Sequence, residues 1–319
     1  MAAILPLADR FQALADPTRL RVVALLRIME LSVGELAHIL GQSQPRVSRH
    51  LKILADAGVL ERRKEGSWVF LTLADGDRLE PLFALIDDWA DAATRALFAA
   101  DAARTESIRA ERSEAATRYF AGHAEVWDQI RSLHVAESEV ERAIDTALGR
   151  KALGRLVDIG TGTGRMIELF GPRAIAAIGI DRSSEMLRLA RVKLEAAGIQ
   201  SSLRQGDMYA LPLADASADS VIIHQVLHYA HSPATAIAEA ARVLAPGGSL
   251  LVVDFAAHER EELRASDAHI RLGFEDEVMA GWFSAAGLEL DRVEHLEGGE
   301  LTVTLWRGSK VGTRQRRAA

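Results

Sequence analysis

The chain has 319 residues, a formal net charge of −7 and no cysteine. That length suggests two domains, and the lack of cysteine excludes disulfides, thiolate zinc sites and a cysteine nucleophile. No apolar run reaches the roughly 18 residues a spanning helix needs, and 49% hydrophobic with 26% charged residues is enough for each domain to build a core. The N-terminal "MAAILPLADRFQALADPTR" lacks a basic segment and carries Asp9 and Asp16 early, so a secretory leader is not expected and the chain is assigned to the cytoplasm.

In chain order, "ADPTRLRVVALL" opens a helix, with Asp16 as N-cap and Pro17 at the first helical position. In "SVGELAHIL", Ser32 and Glu35 have capping-box spacing, Gly41 closes the helix, and Ser43 is expected to cap the next, "QPRVSRHLKILADAG". Two short helices joined through a Gly-containing turn form a helix-turn-helix. On the second helix, Val47, Leu51 and Leu54 recur at core spacing. Gln44, Arg46, Ser48, Arg49 and Lys52 are left to face outward, where a recognition helix meets base edges and phosphates. "VLERRKEGSWVFLTL" then reads as two strands around a turn at Gly66, a wing that carries Arg62, Arg63 and Lys64 toward a nucleic-acid backbone. Residues 46–65 hold six Lys/Arg against three Asp/Glu, a local +3 within an acidic chain.

With "LADPTRLRVVALL" and "SRHLKILADAGVLERRKEG" in view, residues ~9–99 resemble the ArsR/SmtB family of dimeric winged-helix repressors. The resemblance implies double-stranded DNA as partner, an inverted-repeat operator and a homodimer. Metal-sensing members often carry Cys-Val-Cys before the turn, where this chain has Ser32 and Gly34; others use histidines on the last helix, and none occurs between His50 and His123. No metal site is therefore expected. Leu79, Leu82, Ile86, Trp89, Ala93 and Leu97 form an apolar stripe, read as a dimer face rather than as packing on its own domain. Residues 1–99 are assigned to the DNA-binding and dimerisation domain and 100–118 to a solvated helical linker.

Beyond the linker, apolar runs alternate with amphipathic helices, the pattern of a parallel sheet covered on both faces. The expected fold is thus two domains: an α+β winged helix-turn-helix, then an α/β Rossmann-like domain over 119–308 ending in a β-hairpin, with 309–319 a basic tail. "DIGTGTGRM", residues 158–166, follows an apolar strand and opens a helix, the context a glycine-rich turn needs to bind a nucleotide-like ligand. Gly160, Gly162 and Gly164 would let the backbone pass close to that ligand. Asp181 ends the next strand, where an acid can hold ribose hydroxyls. A nicotinamide dinucleotide is the competing ligand, but the Gly-x-Gly-x-Gly spacing and the leading Asp158 suit a cationic amino-acid end better than a pyrophosphate.

With "GDM", "LPLADASADSV" and "EAARVLAPGGSLLVVDF", residues 119–306 resemble the class I S-adenosylmethionine-dependent methyltransferases that act on small molecules. The resemblance implies S-adenosyl-L-methionine as cofactor. Asp158, Gly160 and Gly162 would lie along its methionine side, with Gly164 closing the turn. Asp181 would hold the ribose, Asp207 and Met208 the adenine, and His224 and Gln225 would border the sulfonium. Tyr119, Phe120 and Trp127 belong to a segment that would act as a lid or as a plain capping helix.

Methyl transfer needs in-line positioning and, for a protonated nucleophile, a base. Candidates are His224, His228, His258 and His269. DNA methyltransferases that modify adenine or cytosine N4 place an Asn/Asp-Pro-Pro-aromatic unit after the fourth strand, where this chain has "HQVLHY", and arsenite methylation needs thiolates. The expected function is a transcriptional regulator carrying a small-molecule methyltransferase; the alternative is a repressor that senses S-adenosylmethionine or S-adenosylhomocysteine without catalysis.

Overall fold

The computed structural model describes residues 7–65, 68–74, 76–123, 136–297 and 299–311. Two units divide the chain, Met1–Glu114 and Ala115–Ala319. Tyr119 and Phe120 lie on a helix whose side chains there are not described; Gly66, Trp127 and most of the basic tail fall outside the described residues.

The first unit begins with α1 (Leu7–Leu14) and α2 (Pro17–Leu26). Asp16 caps α2 by accepting from the Arg19 N–H, with Pro17 behind it. Strand β1 (Leu31–Ser32) leads into α3 (Val33–Leu40) through a complete capping box, in which the Ser32 N–H donates to Glu35 at 2.7 Å and the Glu35 N–H to Ser32 Oγ at 3.3 Å. Gly41, at φ 64°, closes α3 in the left-handed region that a residue with Cβ enters only at a cost. Helix α4 (Gln44–Asp56) follows. Ser43 precedes it without a side-chain cap; only its carbonyl receives the first helical bonds, so the expected Ser43 cap is corrected.

Strands β2 (Leu60–Glu65) and β3 (Trp68–Leu73) pair antiparallel, and β1 joins the other edge of β3, giving the order β1-β3-β2. Val47, Leu51 and Leu54 of α4 are fully buried with Leu25, Leu36 and Leu71, so the apolar stripe of the recognition helix forms part of the core.

Two expectations are revised in α5 (Gly76–Trp89) and α6 (Ala92–His123). The apolar stripe divides: Leu79 is buried and Leu82 and Ile86 pack on the unit's own core, while Trp89 stays 75% exposed and Leu97 is exposed. Residues 100–118 are not uniformly solvated either. Asp101, Thr105 and Ile108 are buried, and Asp101 is held by Arg21 and Arg104. An acid with two guanidinium partners can enter a core, which a composition argument for a solvated linker overlooks. Helix α6 therefore begins as part of the first unit.

The second unit holds α7 (Glu137–Leu148), β4 (Gly154–Ile159), α8 (Arg165–Phe170), β5 (Ala174–Asp181), α9 (Ser184–Ala196), β6 (Ser202–Gln205), β7 (Ala218–His224), α10 (Pro233–Val243), β8 (Leu244–Phe255), α11 (Glu262–Ser266), α12 (Asp276–Ala285), β9 (Leu288–Leu296) and β10 (Val303–Lys310). The strands form one seven-stranded sheet in the order β6-β5-β4-β7-β8-β10-β9. Neighbours from β6 to β8 run parallel; β10 is antiparallel to both β8 and β9.

Side chains alternate across this sheet as strand geometry requires. Val221 and Ile223 of β7 and Leu250 and Val252 of β8 pack with Ile237 and Ala240 of α10, whereas Ile222, Leu251 and Val253 pack with Val140 and Ile144 of α7. Burial on both faces explains why β7 and β8 read as continuous apolar runs. Strand order reverses at β4, whose neighbours are β5 and β7, and the carboxyl ends around such a point border the ligand crevice of open α/β sheets.

Candidate functional site

On α4, Gln44, Arg46, Arg49 and Lys52 are exposed and Ser48 is half-buried; on β2, Arg62 and Lys64 are exposed. Capping and core packing fix the helix, so these side chains form one solvent face beside the wing. Arg63 differs from its neighbours. Its guanidinium donates to the buried Glu30 at 2.7 Å and lies 5.9 Å from the Phe70 ring centroid. Arg63 thus ties the wing to β1's approach, and its charge is matched within the protein.

In the second unit the crevice begins with the turn after β4. The N–H groups of Gly160 and Thr161 both donate to the Ile180 carbonyl, at 2.7 and 3.0 Å, which binds the turn to the end of β5. Gly160 has φ 71°, and a Cβ there would lie 2.4 Å from the Val226 side chain. Gly164, at φ 85°, stands at the N-terminus of α8 against Ala190 and Leu194. The sequence reading assigned these bare positions to a ligand; at Gly160 and Gly164 the immediate reasons are backbone angle and protein packing. Asp158 is buried at the end of β4, and Thr161 Oγ1 is buried with no protein partner among the described residues.

Asp181 ends β5 beside this turn. Its Oδ2 accepts the Gly162 N–H and its Oδ1 the Ser183 N–H, both at 2.8 Å. Burial pushes the carboxyl above its ordinary value, against these two bonds, which favour the ionised form. Asp207 follows β6 and accepts the Tyr209 N–H at 3.0 Å, while Met208 packs against the core beside it. His224 ends β7. Gln225, buried, holds φ 50° with its N–H donated to the Val253 carbonyl at 2.7 Å. A non-glycine residue kept in that region at a strand's carboxyl end is strain of the kind found at ligand sites.

His228, His258 and His269 gather around the Phe255 ring, with centroids at 5.0, 6.3 and 5.7 Å, and His224 ends β7. Sequence reasoning missed Asp254, whose carboxylate lies 2.7 Å from His228 Nδ1. The available signal was an acid ending an apolar strand, the same signal used for Asp181. It also missed Arg271, a fully buried guanidinium that donates to the Ala230 and His231 carbonyls. Among the described residues no group of three or more His, Asp or Glu is arranged to hold a metal ion.

Comparison with known proteins matches both arrangements. Residues 16–62, from the α2 cap to β2, match the family described as bacterial regulatory protein, arsR family, and residues 157–252, from β4 to β8, match the methyltransferase domain family. An uncharacterized HTH-type transcriptional regulator of Methanocaldococcus jannaschii is 39% identical over 82 residues, which cover 25% of this chain and 91% of that one. The chain joins an arsR-family regulator domain to a methyltransferase domain.

The methyltransferase domain is 40% identical over 116 residues to demethylmenaquinone methyltransferase of Thermus thermophilus, covering 36% of this chain and 52% of that one. The chain spans 52 to 66% of the length of the first curated relatives it matches. The methyltransferase in the Haloferax volcanii complex with the Trm112 activator shares the fold, with TM-score 0.50 and 20% identity over 60% of this chain and 97% of that chain. No helix among the described residues is long and apolar enough to cross a membrane.

Proposed function

We propose that this protein is a homodimeric, cytoplasmic transcriptional regulator that binds an inverted-repeat operator and whose methyltransferase domain takes S-adenosylmethionine to methylate a small molecule. On the DNA side, Arg46, Arg49 and Gln44 meet base edges in the major groove, and Lys52, Arg62 and Lys64 meet phosphates. Trp89, Ala93 and Leu97, exposed where Leu79, Leu82 and Ile86 are packed, support the dimer.

The observation that carries the cofactor reading is Asp181, a half-buried carboxylate fixed by the Gly162 and Ser183 N–H groups at the mouth of a glycine turn. Its oxygens keep lone pairs for two ribose hydroxyls, and Thr161 Oγ1 offers a buried polar atom beside it. When bound, S-adenosylmethionine supplies a sulfonium methyl group. Asp158 would hold the cationic amino-acid end, Asp207 and Met208 the adenine, and His224 and Gln225 the region of the sulfonium. The name of the Thermus relative favours a quinol-like acceptor.

One observation favours the sensing alternative as well: α6 starts in the first unit and continues past its boundary at Glu114 into the second. A nucleoside that shifted this helix would change operator affinity, and linkage would require DNA to change nucleoside affinity by the same factor, on the order of 5- to 150-fold. The test is operator affinity with saturating S-adenosylmethionine, with S-adenosylhomocysteine and with neither. Specific binding to an inverted repeat supports the regulator reading, and three identical curves remove the sensing alternative. Failure to select any operator would contradict the regulator reading itself.

A further inference from the structure

Methyl transfer to an amine or an already ionised acceptor needs no base; transfer to a hydroxyl does. The second unit contains an arrangement suited to the latter. Asp254, the penultimate residue of β8, has no exposed surface. Its Oδ2 accepts the N–H groups of Leu227 and His228, at 2.9 and 3.2 Å, and its Oδ1 accepts the Phe255 N–H at 2.8 Å. The remaining partner is His228 Nδ1, 2.7 Å from Oδ1. A carboxylate accepts and does not donate, so the imidazole proton belongs on Nδ1 and the lone pair on Nε2. Among the described residues, no hydrogen-bond partner takes Nε2.

The ring is held from several sides. The His228 carbonyl accepts the N–H groups of Ile270 and Arg271, at 3.1 and 2.9 Å, and the imidazole is flanked by the rings of Tyr229, His269 and Phe255, with centroids 4.0, 4.2 and 5.0 Å away. Its position relative to the sheet is equally defined. Strands β7 and β8 are parallel neighbours with His224 opposite Val253, so Asp254 lies at the carboxyl end of β8 and His228 just past that of β7, on the side where Asp181 ends β5 and Asp207 follows β6. A buried histidine that only fills space does not require an acid with every other acceptor position occupied by backbone.

We infer that His228 is the general base of the methyltransferase domain, that Asp254 is its positioning residue, and that the acceptor is an aromatic hydroxyl compound, a phenol or hydroquinone. This rests on the methyltransferase reading above. His228 Nε2 takes the hydroxyl proton, the oxygen lone pair forms the bond to the methyl carbon, and the carbon–sulfur bond breaks with its electrons going to sulfur. The products are the aryl methyl ether, S-adenosylhomocysteine and an imidazolium, which Asp254 stabilises until the proton passes to water. The aromatic walls suit a flat acceptor, and among the described residues Asp254, His269 and Tyr229 are the titratable side chains set against the imidazole.

The test uses the full chain, methyl-labelled S-adenosylmethionine and two probes: catechol, protonated at neutral pH, and 4-nitrocatechol, largely ionised there. The wild type methylates both. His228→Gln lowers kcat on catechol by ~10²- to 10⁴-fold, with KM for S-adenosylmethionine unchanged, and lowers it far less on 4-nitrocatechol. Asp254→Asn shows the same bias with a smaller loss. Because Asp254→Asn can impair folding, wild-type protein is also treated with diethyl pyrocarbonate and mapped by mass. Modification of His228 that catechol suppresses supports an open Nε2, and an unreactive His228 overturns the proposal. Equal losses on both probes, full activity of His228→Gln, or wild type that binds cofactor but methylates neither probe would also overturn it. Calorimetric failure to bind S-adenosylmethionine would instead remove the reading on which it rests, and the proposal with it.

Discussion

Asp101 in the first unit and Asp254 in the second are both almost completely withdrawn from solvent, at 1% and 0% exposed. Their surroundings differ in kind. Asp101 receives both forks of Arg21, at 2.6 and 2.8 Å, and Arg104 at 3.0 Å. Arg104 also reaches the carbonyl of Ile39 near the end of α3, so the carboxylate fastens α6 to α2 and, through Arg104, to the helix before the turn. Asp254 receives backbone N–H groups and one imidazole. Permanently charged partners make a clamp whose state does not change with its surroundings. Backbone donors and one imidazole hold the second carboxylate without any permanently charged partner.

The contrast can be broken first where the effect is largest. Asp101→Ala leaves Arg21 without its partner beside the core, and losing one member of a buried ion pair costs about 3–5 kcal/mol. Chemical denaturation should show that loss in the first unit; an unchanged midpoint would mean that the cluster is solvated and the clamp incidental. Asp254→Asn keeps the shape and loses acceptor capacity, which should cost a smaller ~1–3 kcal/mol while turnover falls more than stability does. The reverse order of stability losses would erase the distinction.

At the DNA face, Arg46→Ala or Arg49→Ala should each cost ~1–3 kcal/mol of operator affinity where the side chain pairs with a base edge. Equal loss on random DNA would reassign that residue to phosphate. Arg63→Ala should lower stability more than operator affinity, because Glu30 occupies its guanidinium. The smallest expected effect concerns acid. The hydrogen-bonded Arg27 holds the Asp87 carboxyl below its ordinary value. Such a group adds stability that is present above the usual carboxylate range and is lost as pH falls through the lowered folded value. The pair is half exposed, so the change is slight. An Asp87→Asn variant should lose that part of the acid dependence in a pH series of melting curves, and a series that matched wild type would assign the slope elsewhere.

What the sequence revealed follows the range of the forces involved. The Asp16 cap, the Ser32–Glu35 box and the Gly41 stop are decided within a few residues, and so were legible. So was α4, because the spacing of Val47, Leu51 and Leu54 determines which face Arg46 and Arg49 present. The glycine turn and Asp181 were readable from strand–turn–helix context. Asp254 and His228 stand 26 residues apart and meet only because β7 and β8 are neighbours. Asp101 looked solvated because Arg21, 80 residues earlier in the chain, cannot be matched to it by composition. Arg63 belongs to a basic run by sequence and to Glu30 by fold. The apolar stripe through α5 and α6 has one period but two destinations, which a helical period alone cannot separate.

Whether the second unit holds an S-adenosyl nucleoside on Asp181 is decided by calorimetric titration of the full chain with S-adenosylmethionine. Wild type should bind one nucleoside per chain. Asp181→Ala should lose about 1.5–3 kcal/mol for each ribose hydrogen bond to the charged oxygens. Burial raises the Asp181 carboxyl, and ribose hydroxyls would donate to its ionised form, so wild-type affinity should fall as pH drops through that raised value, with the variant flat. Wild-type affinity in the variant, or no binding heat in the wild type, would contradict the account.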